Sequence, residues 1–146
     1  MTTPKTRWLS GLLLVMATAI GASEPLDALL WDARPLVLFA DRPDAPAVMT
    51  LKHRIEKHAD AFKDRRMALV EVYGDAGRIG DLPLTEEQAV ALRKRFMPPE
   101  GEPTMVLLGL DGGEKIRAAA DAPLSDLFTL IDRMPMRREE LRNVGP

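Results

Sequence analysis

Residues 36–40 read Leu-Val-Leu-Phe-Ala, five apolar side chains with no polar one between them. A strand with one wet face alternates apolar and polar residues, because successive side chains point to opposite faces. An unbroken apolar run fits a central parallel strand covered on both sides. That reading commits the chain to a layered α/β fold, since both faces must be covered and a parallel neighbour needs a crossover connection. Any preceding helix must stop at Asp32-Ala33-Arg34, because the residue before Pro35 avoids the helical region.

The crossover follows directly. Asp41-Arg42-Pro43-Asp44-Ala45-Pro46 reads as a loop, with Asp44 as the cap of the next helix. Val48, Leu51, Ile55, Ala59 and Phe62 recur at three- and four-residue steps and give that helix one apolar stripe, to about residue 65. Residues 67–73 are a second strand, completing a right-handed parallel unit. Residues 74–81 read as a loop rich in turn residues. Thr85 and Gln88 have the spacing of a capping box, opening a helix with Ala89, Leu92 and Phe96 inward. Residues 104–108 and 114–118 form an antiparallel pair across a glycine-rich turn.

A last helix starts at Pro123, capped by Asp121 or Ala122, with Leu124, Leu127, Phe128, Ile131 and Met134 inward. Pro135 ends it, and residues 135–146 are a charged tail. In the C-terminal region Arg133, Arg137, Arg138 and Arg142 read as a solvated helix end, diluted by Glu139 and Glu140. The architecture expected is a four-stranded mixed sheet with helices on both faces. It spans residues 35–134, after an N-terminal segment 23–34 whose Trp31 packs on the domain edge.

The first 22 residues have the form of an export signal. Lys5 and Arg7 precede an apolar stretch that ends in small residues, and that stretch is short for a membrane span. Cleavage is expected after Ala22, or after Ala19, which places the mature chain in the periplasm or outside the cell. Loss of the leader leaves 18 basic against 22 acidic residues, a balance unlike that of a nucleic-acid binder. Export permits disulfides, yet the chain has no cysteine. Thiolate chemistry of any kind is therefore excluded, and so is a lipid anchor on cysteine.

Against that absence stands a familiar arrangement. Glu102-Pro103-Thr104 leads into the apolar run Met105-Val106-Leu107-Leu108, and the run ends in Asp111-Gly112-Gly113. With the element order over residues 35–134, this resembles the thioredoxin-like superfamily. The resemblance implies that Pro103 is the cis proline beside the active site of that fold, and that the loop after Phe39 lies where the redox cysteines would be. Trp31, Arg34-Pro35-Leu36, Leu107-Leu108-Gly109 and Leu127-Phe128 through Arg137 are also similar to a family of small exported bacterial proteins described only as a domain of unknown function. A lysine is common in that family where this chain has Leu110.

The remaining chemistry is sparse. His53 and His58, the two histidines, would lie about 140° apart around one helix, unlike a metal pair. The glycine-containing segments 77–80 and 109–113 lack the spacing and helix start of a phosphate cradle. No cofactor and no metal are expected. The leading expectation is a non-catalytic binding module that meets a protein of the cell envelope through Asp41, Arg42, Pro43, Pro103 and Thr104. The alternatives are a hydrolase using Asp41 with Asp44 or Asp75, and an envelope structural or stress protein.

Overall fold

The structure is a computed structural model that describes residues 24–145. The expected export signal lies outside the described residues. The central strand β1 (Arg34–Ala40) is buried along its whole length, as its composition requires. It runs parallel to β2 (Met67–Tyr73) and antiparallel to β5 (Thr104–Leu108). The β1–β2 crossover carries α1 (Pro46–Lys57) and α2 (Ala59–Asp64).

The sheet has six strands rather than four, ordered β4 (Leu82–Pro83), β3 (Ala76–Ile79), β2, β1, β5 and β6 (Glu114–Ala119). The segment expected to be a loop folds into β3 (Ala76–Ile79) and β4 (Leu82–Pro83). Two-residue turns make this possible. Gly74-Asp75 joins β2 to β3 and Gly80-Asp81 joins β3 to β4, with the glycines at φ +60° and +56°. Such angles suit the tight hairpin turns whose twist matches the strands. On the other edge, β6 (Glu114–Ala119) pairs with β5 as expected.

Alternation along β1 divides the core into two layers. Leu36, Leu38 and Ala40 face α1, α2 and α4 (Leu124–Asp132), meeting Leu51, Leu127 and Ile131. Val37 and Phe39 face α3 (Glu86–Phe96), meeting Leu92 and Phe96. The capping box of α3 is formed, with Gln88 N donating to Thr85 Oγ1 at 3.2 Å and Thr85 N donating to Gln88 Oε1 at 3.0 Å.

Other local expectations are corrected. The first helix breaks at His58, whose ring meets Phe128 edge-on at 6.5 Å. Asp44 does not cap α1: Arg42 holds both its carboxylate oxygens, at 2.8 and 2.9 Å, and the cap position falls on Ala45. Pro123 is itself the cap of α4, not its first residue. Trp31 is 60% exposed at φ +64°. Its N–H donates to Leu110 O and its carbonyl accepts from Arg66 Nη2, both at 2.7 Å, which fixes a turn that leaves the ring outward.

Residues of the charged tail form α5 (Pro135–Asn143), and its arginines are not all solvated. Arg137 is buried, with Asp64, Asp132 and Glu140 as partners. Arg34, at the start of β1, is 1% exposed and donates to Glu140 through both terminal nitrogens, at 3.0 and 3.3 Å. Glu140 also meets Arg66 at 3.4 Å. Burial alone would raise the Glu140 carboxyl, but Arg34, Arg137 and Arg66 outweigh it and hold the pKa below the usual carboxylate range. Asp132 is lowered in the same way, with Arg65 and Arg137 overcoming its burial.

A depressed folded-state pKa contributes stability that is complete above the unfolded pKa and lost as pH falls through the folded one. The urea midpoint should therefore hold from pH 7 to about 5 and fall steeply below about pH 4. The paired substitution Arg34→Met with Glu140→Leu should flatten that fall. Equal acid slopes for the two proteins would remove Glu140 from the account.

Candidate functional site

The sequence-predicted residues lie where β1 ends. Phe39 pairs with Thr104 across β1 and β5, so the loop after Ala40 emerges beside the residues leading into β5. An open depression of about 460 Å³ lies there. Asp41, Arg42 and Pro103 line it, together with Ala45, Pro46, Ala47 and Gly101. Pro43 is exposed but outside the lining, and Thr104 is buried. The Thr104 hydroxyl donates back to Glu102 O at 3.0 Å and so faces its own chain.

Pro103 is not cis. Every peptide bond among the described residues is trans. The chain reverses before β5 at Gly101, φ +75°, and the Pro103 carbonyl accepts from Ala120 N at 2.9 Å.

The base of the loop is held firmly. Arg93 of α3 donates to Ala40 O at 3.1 Å and to Gly74 O at 2.8 Å, tying together the ends of β1 and β2. On the opposite face of the sheet, where α1 packs, Glu71 is buried in β2 and fully engaged. It accepts from Tyr73 Oη at 2.7 Å and meets Lys52 at 2.8 Å and Arg78 at 3.2 Å. Burial and the Glu71 carboxylate push the Tyr73 hydroxyl well above its usual range. This cluster escaped the sequence reading, although a glutamate between Val70 and Val72 in a buried strand was its signal.

Asp41 and Arg42 are the charged residues of its lining. Arg42 and Asp44 form an exposed bidentate ion pair there. The Asp44 carboxyl is held below the usual carboxylate range by its hydrogen bond from Arg42. A general acid needs the opposite shift. No group of three or more His, Asp or Glu residues among the described residues is placed to hold a metal ion. No described helix is long and apolar enough to cross a membrane.

A mixed sheet covered on both faces, with a βαβ unit and an antiparallel β5–β6 hairpin, has the thioredoxin-like fold. Solved structures of that fold are similar to it. The reduced 2-Cys peroxiredoxin of Plasmodium vivax aligns at TM-score 0.59 and 14% identity, over 78% of this chain and 84% of that one. Plasmodium yoelii thioredoxin peroxidase I aligns at 0.55 and 17%, over 83% of each chain. Mycobacterium tuberculosis AhpC aligns at 0.54 and 13%, over 84% and 83%. These identities speak for the fold alone. Comparison with curated proteins gives no match. The chain belongs to the family described as domain of unknown function DUF4174, which it matches over residues 25–140.

Proposed function

We propose that this chain is an exported, non-catalytic thioredoxin-like module that holds a protein partner in the depression at the end of β1. The observation that carries the reading is the composition of that depression. Its lining combines small and proline residues with Asp41 and with Arg42 of the rim ion pair, in a chain that has no cysteine. Apolar walls with one charged rim suit a partner segment better than bond-making chemistry, which needs a convergent acid, base or nucleophile. The basic, then apolar, then small-residue order of the first 22 residues supports export.

Asp41, Arg42 and Pro43 are exposed, so replacing each with alanine should change stability by less than about 0.5 kcal/mol. The triple replacement should weaken retention of the native partner by about tenfold or more. Insulin-reduction and peroxide assays should show no turnover. Clear turnover in either assay, or a triple variant that keeps every partner at full strength, would contradict the proposal.

A further inference from the structure

A second cavity opens at the other end of β1, where no expected site residue lies. Its volume is about 380 Å³, at the small end of ligand pockets. Leu110, Met134, Pro135 and Met136 make its walls, and Arg34, Lys115 and Asp111 are its charged members. Arg34 is already paired with Glu140, and Lys115 with Asp111. Asp111 is already engaged, accepting from Gly113 N at 3.0 Å and Lys115 Nζ at 3.1 Å.

Three donors converge there without full use. Arg34 is 1% exposed, and its Nε, buried, has no hydrogen-bond partner, although both terminal nitrogens are occupied. A buried donor left unpaired is costly and stands out in a folded protein. The N-terminus of α5 also opens on this cavity with no side chain capping it; Met134 N donates to Ile131 O and Pro135 has no N–H, so its free donors are the Met136 and Arg137 N–H groups. The first-turn N–H groups of a helix have no partner within it and favour negative charge. Lys115 supplies the third donor, with two ammonium hydrogens beyond the one given to Asp111.

We infer that this cavity binds a carboxylate carried on a short apolar body. The carboxylate takes Lys115 and the donors at Arg34 and the α5 N-terminus. The body lies against the Leu110 and methionine walls, whose flexible side chains adapt to its shape. The carboxylate could belong to a free acid or to the end of a peptide chain, and the chemistry of recognition is the same.

The test uses the full chain without its leader, titrated with hexanoate, hexanamide and an acetylated tripeptide ending in leucine, as free acid and as amide. Saturable NMR shifts are expected from hexanoate at the amides of Gly109, Asp111, Met136 and Arg137 and at the Met134 and Met136 methyls. Hexanamide should bind about tenfold more weakly, the loss expected for a charge-assisted contact. Lys115→Gln should weaken hexanoate by a similar factor, whereas Arg138→Gln, an exposed cation on the same helix, should leave it unchanged. A tripeptide acid that outcompetes hexanoate identifies a chain terminus as the source, and the reverse order identifies a free acid. Equal binding of hexanoate and hexanamide, shifts spread away from the cavity, or no saturable shift overturns the inference.

Discussion

Glu140→Ala should lower the unfolding free energy by on the order of 3 kcal/mol, read from the urea midpoint at pH 7. The size follows from what is left behind. Arg34 would keep only the Arg65 carbonyl, at 2.9 Å, for a guanidinium that is 1% exposed. An uncompensated buried charge is among the few single-site defects of this magnitude. Arg137 would keep Asp64 and Asp132, so α5 would loosen without its anchors all being lost. The paired change Arg34→Met with Glu140→Leu removes both charges and should recover most of the stability. A Glu140→Ala protein within about 0.5 kcal/mol of the parent would show that the network orients α5 without stabilising it.

Phe39→Ala should cost about 3–5 kcal/mol, the range for deleting a buried aromatic ring. Phe39 is 1% exposed, meets Phe96 at 5.8 Å between ring centroids, and stands two residues before Asp41, where the loop begins. Total stability of a domain this size is about 5–15 kcal/mol, so the variant should stay folded in buffer or lie close to its threshold. Its effect on partner retention should follow its folded fraction. Phe39→Leu keeps most of the volume, should cost less than about 1.5 kcal/mol, and should retain the partner. Loss of binding in a fully folded Phe39→Leu protein would mean that Phe39 shapes the depression itself.

What the chain disclosed in advance was local and periodic. The unbroken run at β1 implied a strand covered on both faces, and Thr85 with Gln88 marked a helix start, because each signal lies within a few neighbouring residues. The hairpin β3–β4 was equally local. Its marks are Gly74-Asp75 and Gly80-Asp81, spaced to leave Ala-Gly-Arg-Ile between them, but turn residues read in bulk look like a loop. Arg34 and Arg137 were of a different kind. Glu140 lies 106 positions from Arg34, and Asp64 lies 73 from Arg137, so no window of sequence could reveal that those charges are buried.

The site was legible in outline only. Parallel pairing of β1 and β2 places Asp41 and Arg42 at a strand end, and the β1–β5 register brings Pro103 beside them. The isomer of Pro103 was not legible, since trans is preferred over cis by only about 0.5–1 kcal/mol. The direction of the Thr104 hydroxyl was hidden for a similar reason, because it answers to the Glu102 carbonyl.

The proposed function requires a thioredoxin-like face that binds without reacting. Its most direct test is a photo-crosslinking residue placed at position 42 in native cells, with the same residue at position 138 as control. Position 138 is exposed on α5, which is tied to the opposite end of β1, a strand roughly 20 Å long. A discrete crosslinked species is expected from position 42, identified as one protein and absent from position 138. The same species from both positions, or none from position 42, would contradict it.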